Sequence, residues 1–450
     1  MHQRMAFFNA PNGRFLILGF YGFAPVPNDG SGIGRVVREI LPDGDFGPIF
    51  FLRYNRHAGW NEANTSYPLY RTAPDAGFVA ACDMLLADRL VTLQWWEEDR
   101  SSDGFYAVEG QKALAAYRRP DGTVVGIWKG ALSALSSDGG KTWSQAVTSP
   151  TIITNGAKVW GQRTADGGYV LAYNPVADNN HRWPLALVTG DDGITFDQLA
   201  TVHGEVPCRR YAGIYKDSGP QYVRGIEAFD TLPAEQALWL TYSVNKEDLW
   251  VSRVPLPVRS TVQEPVCDTF DAVVPGPDVP LWNIYSPQWA QVAVVAFPST
   301  TDHSLELRDQ DPYDYARAIR VFPECQVVSI AFRLYAHQIN GQLEIEIQDR
   351  YGARPIGIYL NEAGALSLSD GATMVRLGQY RANSWYSLRI NIDSEAQRYR
   401  LSINSDEIVA QASFAEQVSS VERLSFRTGP YRTRPDHNVD FHQLLDQPIG

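Results

Sequence analysis

The octapeptide Ser136-Ser137-Asp138-Gly139-Gly140-Lys141-Thr142-Trp143 has the form S-x-D-x-G-x-T-W. Each place suits a tight hairpin. An Asp carboxylate accepts hydrogen bonds from the backbone of its own turn. Glycines permit positive φ where a side chain would clash, and the Trp folds back as a large apolar plug. The pattern occurs a second time in Thr189-Gly190-Asp191-Asp192-Gly193-Ile194-Thr195-Phe196, with Thr for Ser and Phe for Trp. The step from position 136 to position 189 is 53 residues, which suits one four-stranded blade of a β-propeller repeat.

Both stretches resemble the Asp-box of sialidase-type propellers. The resemblance implies an all-β chain whose first part is a sialidase-like β-propeller of five to seven blades. It also puts each box at a blade's outer hairpin, away from the active face. Further hairpins surround the boxes. Asn12-Gly13 separates two apolar runs within residues 6–23, and Asn-Gly between such runs is the strongest short hairpin signal. Asp43-Gly44, Asp121-Gly122 and Asp166-Gly167 precede apolar strands in the same way, and Leu238–Val254 reads as one more hairpin. Residues 83–94 read either as helix or as a strand pair. The repeat region closes near residue 256, and at roughly 50 residues per blade it holds about five blades. Strand-like sequence directly after Met1 suggests that a leader, and part of a first blade, precede this chain.

Composition narrows the function. The 450 residues carry 39 basic and 51 acidic side chains, a net charge of −12. That argues against a general binder of nucleic acid or anionic membrane, since both need a basic footprint. Cys82, Cys208, Cys267 and Cys325 are scattered without C-x-x-C spacing, so buried free thiols are expected rather than a zinc or redox site. No apolar run is long enough to span a bilayer. A secreted or periplasmic location is expected, although no signal peptide is visible.

Beyond the repeats the texture changes. Residues 257–300 are rich in proline and read as an extended connector with no central strand. Residues 301–430 show cleaner period-two alternation. Leu343–Ile347, Leu388–Ile392 and Tyr399–Ile403 each place one apolar and one polar face, which predicts an antiparallel sandwich. Residues 431–450 form a tail. The phrase Trp385-Tyr386-Ser387-Leu388-Arg389-Ile390 resembles the concanavalin-A/laminin-G jelly roll, a lectin-like domain that in some members binds carbohydrate. Asp309-Gln310-Asp311-Pro312-Tyr313-Asp314 offers carboxylates for a structural calcium ion, with a plain acidic turn as the alternative. No other cofactor is called for.

Two polar clusters stand out in the propeller region: Asn55–Asn64, containing His57 and Asn61, and Asp178–Pro184, containing His181 and Arg182. One strand back from the second Asp-box lies the opposite end of the blade, where propellers build their active sites. Lys158, Trp160 and Gln162 share one strand face that suits a sugar platform. Arg209, Arg210, Tyr211, Tyr222 and Arg224 add planar guanidinium forks and aromatic rings, and the forks match a carboxylate bidentately. Arginines in an otherwise acidic chain point to an acidic oligosaccharide or polysaccharide as the partner.

The sialidase reaction would need three arginines, a Tyr-Glu nucleophile pair and an Asp acid. The family's F/Y-R-I-P motif is missing, with Leu52-Arg53-Tyr54-Asn55 as a poor match. Tyr173-Asn174-Pro175, His181–Leu185, Gly219–Tyr222 and Ser243–Ser252 resemble instead the propeller L-rhamnose-α-1,4-D-glucuronate lyases and related rhamnosidases. That resemblance implies removal of rhamnose from glucuronate by β-elimination at non-reducing ends. Arg182 and Arg224 would neutralise the carboxylate, and His57 and His181 would serve as base and acid in an unassigned order. Tyr211 or Tyr222 could replace the acid. The substrate-binding set would be Asn61, Lys158, Trp160, Gln162, Arg210 and Tyr211. The alternatives are an exo-glycoside hydrolase, which needs paired carboxylates for which Glu62, Glu97, Glu98, Asp99 and Glu109 are available, and a non-catalytic glycan-binding propeller.

Overall fold

A computed structural model describes residues 2–21, 32–95, 113–149, 151–177, 181–207, 209–211, 217–226, 236–259 and 261–429. The chain divides into two compact units, Met1–Val258 and Arg259–Gly450.

The described residues of the first unit hold four antiparallel sheets, each a simple meander. The first contains β1 (His2–Asn9), β2 (Phe15–Tyr21), β3 (Gly34–Ile40) and β4 (Phe50–Tyr54). Helices α1 (Ala76–Ala87) and α2 (Arg89–Trp95) follow. The second sheet contains β5 (Ala115–Arg118), β6 (Val124–Ile127), β7 (Leu132–Ser136) and β8 (Val147–Thr148). The third has β9 (Trp160–Arg163), β10 (Tyr169–Tyr173), β11 (Leu185–Gly190) and β12 (Gln198–His203). The fourth has β13 (Pro220–Gly225), β14 (Ala237–Val244) and β15 (Asp248–Pro255).

The described residues of the first unit hold four such sheets, and helices α1 and α2 stand between the first and the second. Residues 83–94 are helical. Asp75 caps α1 by accepting the N–H groups of Gly77 and Phe78 at 2.8 and 3.1 Å, which satisfies donors that a helix start leaves open. Phe78, Ala81, Cys82 and Leu85 then pack on Leu16, Leu18 and Val37 of the first sheet. Cys82 is buried there, and desolvation pushes its thiol up to about 12. Burial of every thiol does not hold, because Cys267 is exposed and Cys325 only half-buried; Cys208 lies outside the described residues.

Strands in mid-sheet are buried on both faces, as stacked blades require. All five residues of β10 are buried. Trp160, Val170, Leu185 and Leu187 of the third sheet share one core with Val223, Leu238 and Leu240 of the fourth.

The second unit is a β-sandwich. Its strands are β16 (Trp282–Tyr285), β17 (Ala290–Ser299), β18 (Asp302–Asp309), β19 (Arg317–Cys325), β20 (Val327–Ala336), β21 (Leu343–Gln348) and β22 (Ile356–Leu360). They continue with β23 (Ala365–Asp370), β24 (Thr373–Gln379), β25 (Ser384–Asp393), β26 (Arg398–Ile403), β27 (Asp406–Ser413) and β28 (Val421–Thr428). One sheet runs β16-β19-β28-β21-β22-β23-β24, the other β20-β25-β26-β27, and β17 pairs with β18. Ile345, Ile347, Ile356 and Ile358 of the first sheet meet Leu388, Ile390, Tyr399 and Leu401 of the second in a single core. The proline-rich stretch contributes β16, which edges its sheet, and β17, whose register shifts between Val295 and Ser299 near Pro298.

Alternation in β21 does not yield a solvated polar face. Glu344 and Glu346 are buried and pair with Arg427 and Arg354. Burial raises the Glu344 carboxyl in spite of Arg427.

Candidate functional site

The Asp-boxes orient the blades. Ser136–Trp143 joins β7 to β8, and the second box joins β11 to β12. In the first, Asp138 Oδ1 accepts the N–H groups of Lys141 (3.0 Å) and Thr142 (2.9 Å), and Oδ2 accepts the Thr142 hydroxyl at 2.6 Å. These bonds, the Thr142 hydroxyl foremost, hold its carboxyl well below the usual carboxylate range. Trp143 packs edge-on against Trp128 at 5.1 Å. In the second box the match by place aligns Asp191 with Asp138. The structure corrects this: Asp192 accepts the Ile194 and Thr195 N–H groups at 2.8 and 2.7 Å and the Thr195 hydroxyl at 3.2 Å.

Antiparallel connection then fixes what lies at the other end. Residues 174–177 and 181–184 between β10 and β11, residues 204–207, 209–211 and 217–219 between β12 and β13, and the turn 245–247 between β14 and β15 all lie opposite the β11–β12 hairpin. Three residues meet at this end. Arg182 places its guanidinium carbon 5.1 Å from the ring centroid of Tyr222, and Lys246 places Nζ 5.6 Å from the same centroid. Tyr222 has φ +57°, an uncommon backbone state for a bulky aromatic residue. A register shift between Gln221 and Arg224 accompanies it. The residue remains 40% exposed, which leaves it accessible to a ligand.

The frame around Tyr222 is well bonded. Asn174 Nδ2 donates to the carbonyls of Arg182 (3.1 Å), Pro184 (2.9 Å) and Pro220 (3.0 Å). Asn245 accepts the Gly219 N–H at 2.8 Å and donates to the Pro207 carbonyl at 2.6 Å. Gly219 has φ +97°, and a Cβ there would lie 2.3 Å from the Arg182 carbonyl oxygen. Only glycine permits that approach. The Ser218 N–H donates to His181 Nδ1 at 3.2 Å. With Nδ1 accepting, neutral His181 carries its proton on Nε2, which makes it a donor and removes it as a base through that nitrogen.

Lys246 also pairs with Asp217 at 3.3 Å. Two buried polar atoms at this end have no hydrogen-bond partner among the described residues, Arg182 Nη1 and Gln221 Oε1. Such atoms are uncommon in a settled interior.

His181, Arg182 and Tyr222 therefore come together. Lys246 and Asp217 join them, although the sequence pattern marks Lys246 only as part of a hairpin turn. Arg210 and Tyr211 lie at the same end, bonded through their N–H groups to Glu247 beside Lys246. The remaining expected site residues make no contact with Tyr222 among the described residues. Arg224 donates to the Gln94 carbonyl at 2.7 Å and stands 5.6 Å from the Trp160 ring. Trp160 is 2% exposed within the core between two blades, and Lys158 and Gln162 are buried as well. They cannot act as an open sugar platform. Arg210 is engaged by Asp248 at 2.6 Å and by Glu247 at 3.5 Å. Tyr211 is well exposed beside it. Asn61 closes its own turn, accepting the Ala63 N–H at 2.9 Å and donating to the Gly59 carbonyl at 3.1 Å. His57 belongs to the 3₁₀ turn Arg56–Ala58; its side chain, like Glu97, Glu98, Asp99 and Glu109, lies outside the described residues.

In the second unit Asp309, Asp311 and Asp314 spend oxygens on the N–H groups of Asp311, Tyr313 and Tyr315 at 2.8–2.9 Å. Among the described residues no three His, Cys, Asp or Glu side chains gather to hold a metal.

Residues 1–112 match the family model described as "BT_1020-like, N-terminal beta propeller", and residues 282–443 match "Sialidase-like, CBM domain". The chain combines a sialidase-like β-propeller with a sialidase-like CBM domain. A solved structure named "Sialidase" is 38% identical over 100% of this chain, with a TM-score of 0.89. This chain spans 41% of that protein's length. A Trypanosoma rangeli sialidase mutant displaying trans-sialidase activity is 11% identical, covering 96% of this chain and 82% of its own, at a TM-score of 0.31. A tetrameric galectin from the sponge Cinachyrella sp. is 12% identical, covering 24% of this chain and 85% of its own, at 0.20. Scores that low carry nothing about the site. No curated protein matches the sequence. The fold is consistent with a carbohydrate-active or carbohydrate-binding protein, and no helix among the described residues is long and apolar enough to cross a membrane.

Proposed function

We propose that this is a secreted enzyme that releases an acidic sugar from the non-reducing end of a glycan, and that the release is hydrolytic. The observation that carries the reading is the pair of cations, Arg182 and Lys246, contributed by different loops to one half-exposed tyrosine. A sugar carboxylate would take the guanidinium of Arg182 and the ammonium of Lys246 together.

Tyr222 suits a reacting carbon beside that carboxylate. A tyrosine is neutral until it reacts, whereas an Asp or Glu nucleophile would be repelled by the substrate's own charge. Tyr222 Oη would attack the anomeric carbon as its proton passes to Asp217. The bond to the leaving oxygen would break as Asp217 passes that proton to it, with the Nε2–H of His181 hydrogen-bonding the same oxygen. Water would then cleave the glycosyl–tyrosine bond and return a proton to Tyr222. Similarity to the 38% identical sialidase structure supports the same class of reaction.

Elimination, the expectation drawn from the rhamnosyl-glucuronate families, needs a base for the C5 proton, and the acceptor state of His181 Nδ1 weakens that route. The test separates the two. The protein is incubated with oligosaccharides capped by sialic acid, by a uronic acid or by rhamnosyl-glucuronate, and products are followed by chromatography and ultraviolet absorbance. Release of a saturated acidic sugar is expected. Absorbance from a new C4–C5 double bond would overturn hydrolysis in favour of elimination. Arg182→Ala should lower kcat/KM by about 10²–10³ with an unchanged melting temperature; near-normal turnover would remove this site from the reaction.

A further inference from the structure

The sheet β20-β25-β26-β27 buries Leu388, Ile390, Ile392, Tyr399 and Leu401 in the sandwich. Period-two alternation sends the residues between them to the opposite face. That face has two features in register. At one end Tyr335 lies opposite Trp385, with ring centroids 5.1 Å apart. Phe297 packs beside both rings, 4.8 Å from Tyr335 and 5.9 Å from Trp385. His337 stands 4.7 Å from Tyr335, and Arg333 lies 4.4 Å over the Trp385 ring.

Across the face three exposed arginines then step diagonally. Arg333 pairs with Ser387, Arg389 with Ala331 on one side and Ser402 on the other, and Arg400 with Asn391. Diagonal neighbours on adjacent strands are roughly 7–8 Å apart. None of the three makes an ion pair among the described residues, in a chain whose net charge is −12. The small residues Ala331, Ser387 and Ser402 leave the ground between them low.

We propose that this face binds a uronate-containing oligosaccharide, with one sugar ring on the Trp385–Tyr335 cluster and carboxylates on Arg333, Arg389 and Arg400. Flat rings meet the aromatic cluster, guanidinium forks take the carboxylates, and the low ground between them admits a chain running across the strands. The site is independent of the hydrolytic reading, since it shares no residue with Arg182, Lys246 or Tyr222.

Calorimetric titration of the full chain with hexagalacturonate tests it. The chain carries Arg182→Ala, so that the first unit's site does not contribute. Binding is expected to persist in that background, to weaken as salt rises, and to vanish for the carboxyl-reduced, neutral hexasaccharide. Trp385→Ala should weaken it about tenfold. Because that ring also packs on Phe297 and Tyr335, the exposed double substitution Arg333→Ala/Arg389→Ala serves as the fold-neutral variant and should weaken binding at least as much. Unchanged binding in the double variant would overturn the proposal. So would equal binding of the neutral chain, or equal binding of a single-stranded oligonucleotide of the same charge.

Discussion

The two ends of the propeller blades are built from the same backbone and treat their polar groups in opposite ways. At the outer hairpins Asp138 and Asp192 each gather several donors from their own turn. At the other end Tyr222 sits at φ +57° with two cations near its ring, and Arg182 Nη1 and Gln221 Oε1 are buried without a hydrogen-bond partner among the described residues. A fully satisfied turn has nothing left to offer a ligand. Strain and unmet bonding capacity persist where something else completes them.

The sharpest way to break this contrast is at Tyr222. Tyr222→Phe keeps the ring and the cations but removes the hydroxyl, so turnover should fall by about 10³ while the melting temperature stays within a degree or so of wild type. Retained turnover would show that the hydroxyl takes no part.

The reverse substitution pattern belongs to the hairpins. Asp138→Asn should lower the melting temperature by several degrees with kcat/KM unchanged, as measured by calorimetry and steady-state assay. Its pH dependence sharpens the point. The folded carboxyl of Asp138 is held below its unfolded value, chiefly by the Thr142 hydroxyl. Its contribution is therefore present above about pH 4 and is lost as pH falls through the lower folded value. The wild-type melting temperature should fall more steeply below about pH 4 than that of Asp138→Asn. The smallest effect separates neighbours: Asp192→Asn should cost a few degrees and Asp191→Asn almost nothing, since Asp192 makes the turn's bonds. Equal losses would restore the alignment by place.

How much of this can be read from the sequence follows from the range of the interactions. An Asp-box closes on itself within eight residues, so its chemistry is visible in a string, apart from the shift of one place in the second box. Blade orientation follows from it, which is how His181 and Arg182 can be placed at the end opposite the Asp-box hairpins. Trp160, Lys158 and Gln162 read as an open platform because alternation reports that residues share a face, not what covers it. In a propeller the next blade covers it. Lys246 escapes a sequence reading for a related reason. Its turn looks like any hairpin turn, and its partner Tyr222 lies on another strand, at a bulge that no local pattern announces.

Asn174 carries a last consequence, concerning chemical lifetime. Its amide nitrogen holds three carbonyl oxygens, two from the loop bearing Arg182 and one from the strand bearing Tyr222. Hydrolytic ageing to Asp would replace that donor with an oxygen facing three others, and a buried charge without donors is costly. The usual route to such damage begins when the next residue's backbone nitrogen attacks the side-chain amide. Here the next residue is Pro175, whose nitrogen lies in a ring and carries no hydrogen. The junction on which the mouth depends is thereby shielded from its most damaging single-atom change, a useful property for the secreted enzyme we propose, which would work with no route to repair.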